Sequence, residues 1–489
     1  MNRAFFKLYL KTLMLTLAAI AACQLTRGYA VLVLLALCFA WGANGKIGKF
    51  MAVFMMIPFM TMLNAVILTK TPVFSYGARA AVFLGTGMLV LQGMRRRGGH
   101  SLPLGTIFFY LAAATLSSVQ GYFPMISYLK IVNFAVFVLG LYIGSRAVTE
   151  DPGSLNICRA AILSFVTVMI LGSAAMIPFP SISLMSAAHL VRQGYNDAQI
   201  KAFLASSDSI GLLCGAAFHS QTLAALLACM VPWTVCDMLF VERKFTRLHG
   251  LLVVTGLPLM YMTRSRIVLF SFAVFICILV VYCLPKIRLP VRVKSKIIGL
   301  VYLLCVLLVV GVAALELKSA GLSRWLRKTE TLSTDNRTLG EAVTASRQSS
   351  IEANLYDFNR NRLLGSGFQV IVDHPAMYQA GMITLFSAPI EKGLLPLMVL
   401  GETGILGAVF FAVFLFAFYF GCMRRKYYVT LSLFTVFLAV NMAEAIFFSP
   451  NGGGFEWLVT VFGGYIIDVS IISRRRHEGM VMMMGFARG

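Results

Sequence analysis

Residues 394–422 read LLPLMVLGETGILGAVFFAVFLFAFYFGC, and Glu402 is the single charged side chain among them. An apolar run of this length crosses a bilayer as one helix, because about 20 helical residues span the hydrocarbon core. Similar runs occupy most of the chain, in which 59% of 489 residues are hydrophobic and 12% are charged. Ordinary soluble domains have roughly 25% charged residues. The composition therefore excludes a soluble globule and predicts an all-α polytopic membrane protein.

The chain contains about fourteen apolar runs, separated by polar or basic breaks. Since neighbouring short runs can merge, we expect about 12–14 transmembrane helices. The runs lie at 8–25, 28–43, 49–68, 76–93, 102–119, 124–145, 158–177, 214–240, 249–262, 267–284, 297–316, 394–422, 427–447 and 456–473. The predicted divisions are N-terminal transmembrane helices (1–177), a first outer loop (178–213), central transmembrane helices (214–316), a large periplasmic loop (317–390), C-terminal transmembrane helices (391–473) and a cytoplasmic tail (474–489).

The net charge of +23 arises from 42 Lys and Arg against 19 Asp and Glu. In a soluble protein this excess would suggest a nucleic-acid partner. In a membrane protein it indicates orientation, because Lys and Arg collect in cytoplasmic loops. With the N-terminus in the cytoplasm, more than half of the basic residues fall on that side. We therefore expect a multi-pass protein surrounded by membrane lipids, with both termini cytoplasmic and no nucleic-acid partner.

The ten cysteines lie inside or at the edges of apolar runs, so the sequence does not predict a disulfide framework. It contains no Cys-x-x-Cys pair and no cluster of residues with metal-ligand spacing. We therefore expect no metal and no cofactor.

The segment Thr263-Arg264-Ser265-Arg266 joins two apolar runs on the predicted outer side. Orientation does not require arginines there, and charges close to the membrane core are costly and usually functional. The planar guanidinium matches the oxygens of a phosphate. This turn therefore indicates a site for an anionic lipid-linked headgroup. The alternative is that both arginines simply extend to the phosphates of bilayer lipids.

The large outer loop supplies a second set of candidates. Arg347 precedes a turn with Gly365 and Gly367, which indicates close approach of two backbone segments. The alternative interpretation of this region is a solvated charged helix. Glu391, beside Lys392, directly precedes the apolar run that carries Glu402, where a carboxylate at a cavity mouth suits a general base. The alternative is a structural ion pair between Glu391 and Lys392 or Arg266.

Two further candidates lie within the runs themselves. Glu402 would lie about three turns deeper than Glu391 in a regular helix, where a carboxylate needs a partner or a functional pathway. His219 and Gln221 begin the span that follows the first outer loop. A lone histidine at a helix start is more often a hydrogen-bonded structural residue than a ligand or base.

Taken in order, these segments resemble the bacterial O-antigen ligase and O-antigen polymerase family, membrane glycosyltransferases that use undecaprenyl-diphosphate-linked glycans. The resemblance covers roughly residues 214–447. The matching segments are His219–Thr222, Thr263–Arg266, Arg347 with Leu363–Phe368, and Glu402–Gly407. Ligases of the family typically have a histidine just before the Glu-Thr-Gly helix, where this chain has Glu391. A polymerase therefore stays open beside a ligase.

The resemblance implies a GT-C-like fold in the bacterial inner membrane and a metal-independent, inverting transfer at the periplasmic face. A saccharide would pass from the undecaprenyl-diphosphate donor to a saccharide or lipid acceptor. Glu391, Arg266 and Arg347 would be catalytic. The substrate-binding residues would be Arg264, Lys392, His219, Gln221 and Glu402. The rival function is a transporter or flippase for lipid-linked glycans, which predicts more charges inside the membrane and often internal repeats.

Overall fold

The computed structural model describes residues 1–96, 101–121, 123–186, 190–191, 211–279, 348–369, 394–442, 445–450 and 453–486. The helices are α1 (Arg3–Leu25), α2 (Ala30–Ala43), α3 (Ile47–Thr61), α4 (Pro72–Arg95), α5 (Ile107–Val119), α6 (Pro124–Thr149), α7 (Pro152–Met176), the short α8 (Pro180–Ser183), α9 (Ser220–Cys236), α10 (Arg247–Met262), α11 (Arg266–Ile278), α12 (Gln348–Arg360), α13 (Leu395–Arg425), α14 (Tyr428–Asn441), α15 (Gly454–Trp457) and α16 (Gly463–Phe486). Two π-helical turns, Asp237–Glu242 and Leu458–Phe462, continue α9 and connect α15 to α16.

This architecture confirms an all-α polytopic membrane protein. In the described ranges, seven helices are long and apolar enough to cross a membrane, and five shorter helices are also apolar. Thirteen of the fourteen predicted apolar runs overlap a described helix, and the run at 297–316 lies outside the described residues. The finer count of 12–14 spans stays a prediction.

Helix starts follow from local sequence. Asp151 caps α7 by accepting hydrogen bonds from Ser154 Oγ and from the backbone N–H groups of Gly153 and Ser154, at 2.7, 2.9 and 3.0 Å. These hydrogen bonds lower the pKa of Asp151, and the bond from Ser154 Oγ has the largest effect. Proline fits the first helical position, where no N–H is needed. Pro72, Pro124 and Pro152 occupy this position in α4, α6 and α7.

One end of the helix bundle holds the chain start and many of the basic breaks; we call it the basic end. The Met1 amine lies 3.0 Å from Glu242, and Arg96 Nη1 lies 3.0 Å from Glu150 Oε2. Arg425, at the end of α13, donates to the Ser101 carbonyl. Contacts between such distant segments place the starts of α1 and α7 at the same end as the ends of α4, α6 and α13.

The opposite end holds the turns between the other helix pairs; we call it the loop end. Thr71 donates to the Arg27 carbonyl at 2.7 Å, which joins the α1–α2 turn to the start of α4. Residues 62–68, 183–186 and 211–218 pair through backbone hydrogen bonds, including Asn64 N to Ala216 O at 2.8 Å. This non-helical layer covers the ends of α3 and α7 and precedes α9.

Candidate substrate site

The α10–α11 connection at the loop end places two arginines in a tight turn. Arg264 has φ 51°, in the left-handed region, and its N–H donates to the Tyr261 carbonyl at 3.1 Å. Thr263 is buried and donates through Oγ1 to the Met260 carbonyl at 2.7 Å. Arg266 is the first residue of α11. Both arginine side chains are half-buried, so they can meet a ligand at this end of the bundle.

His219 and Gln221 begin the neighbouring helix at the same end. His219 is the N-cap of α9, and its Nδ1 accepts a hydrogen bond from the backbone N–H of Gln221 at 3.2 Å. This geometry gives His219 the structural capping role that is common for a histidine at a helix start. Both side chains are half-buried. Because α9 packs against α11, the structure brings His219 and Gln221 to the same region as Arg266.

Lys70 is a further cation at the loop end. Its Nζ lies 3.6 Å from the centre of the Phe218 ring, immediately before His219 in the chain. The ring face favours an ammonium ion, but burial favours the neutral amine and lowers the pKa of Lys70 to about 7. From the sequence, Lys70 is one of few basic residues in the short outer turns, and no pattern there indicates a contact with Phe218. Its contact with Phe218 depends on pairing of the 62–68 and 211–218 segments.

The glycine turn and the Glu-Thr-Gly segment are in direct contact. Helix α13 is interrupted at Gly404, which has φ 61° and ψ −164°. The turn at 361–369 lies against this break, and Gly365 and Gly367 have φ of 72° and 109°. A Cβ on Gly365 would lie 2.4 Å from the Glu402 carbonyl carbon. The close backbone approach expected from these glycines is therefore confirmed.

Glu402 lies in this interrupted segment and is fully buried. The depth of Glu402 relative to Glu391 stays a prediction, because Glu391 lies outside the described residues and the break at Gly404 comes after Glu402. The Glu402 carbonyl accepts hydrogen bonds from Ser117 Oγ at 2.6 Å and from Gly367 N at 3.0 Å. Its carboxylate lies near enough to Tyr110 for an electrostatic interaction. Glu402 is therefore built into the contact between α5, α13 and the glycine turn.

Residues 348–360 form α12, so a helix is present where a solvated charged helix was the alternative interpretation. It is only partly solvated, because Asn354 and Asp357 are buried and α12 packs against α13. Arg347, Glu391 and Lys392 lie outside the described residues.

The described candidates thus form two groups at the loop end. The first contains Arg264, Arg266, His219 and Gln221, and the second contains Glu402 with the glycine turn. Helix α14 packs against both α11 and α13 and so connects the two groups. A turn that carries two arginines at the end of the bundle can bind an anionic headgroup. Among the described residues there is no group of three His, Cys, Asp or Glu side chains that could hold a metal ion.

The basic end holds a second charged cluster, whose pairing the sequence did not predict. Arg159 donates to the carboxylates of Asp237 and Glu242, and its Nη2 lies 2.9 Å from Asp237 Oδ2. His249 Nε2 lies 2.8 Å from the same Asp237 oxygen. A lone arginine just inside an apolar run was an available signal, because a charge there requires a partner.

Comparison with known proteins adds no relative: no family model, no curated protein and no solved structure matches this chain.

Proposed function

We propose that the protein is an O-antigen ligase-like or polymerase-like glycosyltransferase with a GT-C-like architecture. It would transfer a saccharide from an undecaprenyl-diphosphate donor to a glycan or lipid acceptor at the periplasmic face of the bacterial inner membrane. The observation that supports this proposal best is the turn with Arg264 and Arg266, half-buried at the loop end beside the start of α9. Orientation of the helices does not require charges at this end.

The proposed chemistry is a single displacement without a metal ion. The acceptor hydroxyl oxygen bonds to the anomeric carbon of the donor saccharide while the bond from that carbon to the diphosphate oxygen breaks. Glu391 takes the hydroxyl proton, and undecaprenyl diphosphate leaves with the bonding electron pair. Arg266, with Arg264 and Arg347, neutralises the charge that develops on the diphosphate. One displacement inverts the anomeric configuration.

The proposal is tested with purified full-length protein in liposomes, lipid-linked glycan extracted from a deletion strain, and a candidate acceptor. We expect Arg266→Ala to reduce the transfer rate by about 100-fold or more, the usual effect of losing a group that stabilises transition-state charge. Arg266→Lys should recover part of this loss, because it keeps the charge but not the planar fork.

The chain offers a matched control for Arg264. Arg27 lies in the α1–α2 turn at the same end and also has φ 51°, so alanine causes the same backbone strain at both positions. We expect Arg264→Ala to weaken donor binding and Arg27→Ala to leave the transfer rate unchanged. Equal rates for wild type and Arg266→Ala would refute the assignment, as would a requirement for a divalent ion.

A transporter of lipid-linked glycans is the second candidate. Lys130, Glu456 and Asp468 are buried within helices, and α13 is interrupted. Interrupted helices are common at transporter binding sites. Movement of the lipid-linked donor across liposomes without any glycan product would favour this function over the transferase.

A further inference from the structure

A cavity of about 490 Å³ opens at the basic end, far from the turn with Arg264 and Arg266. It lies where the starts of α1 and α7 meet the π-helical turn after α9 and the middle of α16. Three cations and one carboxylate line it, together with two amides and two larger apolar side chains. These residues are Arg159, Lys244, Arg474, Glu242, Asn2, Asn156, Phe5 and Leu8.

The carboxylate in this cavity is already compensated. Glu242 accepts from Arg159 and lies 3.0 Å from the Met1 amine. Arg159 uses Nε and Nη2 for Asp237 and Glu242, and its Nη1 makes no hydrogen bond to any described residue. Arg159 lines the cavity and therefore keeps one guanidinium nitrogen that is still able to donate.

The two other cations are at the rim. Lys244 and Arg474 are exposed, and neither has a carboxylate within ion-pair distance in the part of the chain that the structure describes. Arg474 Nη1 donates to the Val241 carbonyl at 2.9 Å, which holds its guanidinium beside the cavity. Among the side chains that the structure describes, the positive charge of the rim is therefore not compensated by a carboxylate.

We infer that this cavity binds a phosphate group, either of an anionic phospholipid headgroup or of a soluble phosphate compound. Arginine and lysine are the usual partners of phosphate oxygens, and the amides of Asn2 and Asn156 are further donors. Basic pockets between transmembrane helices on the cytoplasmic side suit lipid headgroups. Phe5 and Leu8 supply the apolar surface that the glycerol region of a lipid would contact.

The test compares two double variants of the full-length protein in detergent. Lys244→Gln with Arg474→Gln removes the rim charges. Arg95→Gln with Arg424→Gln removes the same charge from exposed positions at the same end that do not line the cavity. Native mass spectrometry measures binding of phosphatidylglycerol and of phosphatidylcholine with identical acyl chains. Inorganic phosphate is added in a separate titration.

We expect phosphatidylglycerol to bind in preference to phosphatidylcholine. Loss of each rim cation should weaken the binding of phosphatidylglycerol about fivefold, and loss of both should weaken it roughly 30-fold. The control variant should bind as wild type does. If inorganic phosphate binds or displaces the lipid with the same dependence on the rim cations, the site accepts soluble phosphate. The inference is wrong if neither ligand binds, if the two lipids bind equally, or if both double variants lose binding equally.

Discussion

Arg159 is a buried guanidinium that compensates two carboxylates at once. It bonds to Asp237 and Glu242, and its Cζ lies 4.0 Å from the centre of the Phe5 ring. An unpaired charge inside a membrane helix is expensive. Arg159 and the Met1 amine therefore neutralise the carboxylates of Asp237 and Glu242, and the four groups hold one another in place. Removing one partner of a buried ion pair usually costs about 3–5 kcal/mol, because the other charge stays buried without compensation.

We therefore expect Arg159→Met to lower the stability of the folded protein substantially. The measurement is thermal unfolding of the purified protein in detergent. Arg96→Met is the control, because the Arg96 and Glu150 side chains are 43% and 22% exposed and such surface pairs contribute at most about 1 kcal/mol. Equal shifts in unfolding temperature for the two variants would show that the buried network adds no more than a surface ion pair.

The two kinds of arginine differ in how well sequence could assign them. Arg264 and Arg266 stood out because they occupy a short turn where orientation needs no charge. The partners of Arg159 could not be inferred, because Asp237 lies 78 residues away and only the packing of α7 against the end of α9 brings them together. Local patterns identify charges that face outward, but a buried pair is a property of the tertiary structure.

At the scale of elements, the interruption of α13 is compensated by the glycine turn. A regular helix would pair Ile405 N with Gly401 O and Leu406 N with Glu402 O. Instead these two N–H groups donate to the carbonyls of Arg362 and Leu363, at 2.8 and 3.2 Å. The two released carbonyls accept from Ser366 N and Gly367 N, at 2.9 and 3.0 Å. All four groups are satisfied, as membrane-embedded backbone requires.

This exchange predicts that Gly404→Ala and Gly365→Ala detach the turn from α13. Both positions need positive φ, and a Cβ on Gly404 would lie 2.3 Å from the Leu363 carbonyl oxygen. Strain of this kind costs about 1–3 kcal/mol before any clash is counted. Limited proteolysis should then cut near residues 361–369 much faster, and the unfolding temperature should fall.

Alanine variants of two other glycines are controls that distinguish backbone strain from steric overlap with neighbouring atoms. Gly45 has φ 67° but nothing within 4 Å of an added Cβ, so Gly45→Ala measures strain alone. Gly87 lies within α4, also with open space, so Gly87→Ala should be neutral or stabilising by up to about 1 kcal/mol. If Gly404→Ala is no more damaging than Gly45→Ala, close backbone packing at the break is unimportant.

Sequence patterns predicted the helices well and the break poorly. Apolar runs located the described spans, because a lipid-facing helix must be apolar along its length. The glycines in both segments were also visible. What closes the break is a turn more than 30 residues earlier in the chain, which leaves no trace in the hydropathy of α13.

For the whole molecule, the alternation of helices assigns every described turn to one of two ends. Most of the basic breaks that sequence placed in the cytoplasm lie at the basic end. That end also holds the Met1–Glu242 and Arg96–Glu150 ion pairs and the contact of Arg425 with the Ser101 carbonyl. The arginine turn lies at the loop end. Which end faces the cytoplasm depends on the insertion machinery and on charge, and the positive-inside rule favours the basic end.

This orientation predicts opposite reactivity for two introduced cysteines. Leu25 is 84% exposed at the loop end, and Asn44 is exposed in the α2–α3 turn at the basic end. In intact spheroplasts, a membrane-impermeant maleimide should label Leu25→Cys at once and Asn44→Cys only after lysis. Seven of the eight cysteines that the structure describes are buried, and the parent protein gives the background for the exposed Cys277. Labelling of Asn44→Cys before lysis, with Leu25→Cys protected, would invert the topology. The arginine turn would then face the cytoplasm, which contradicts a periplasmic transferase.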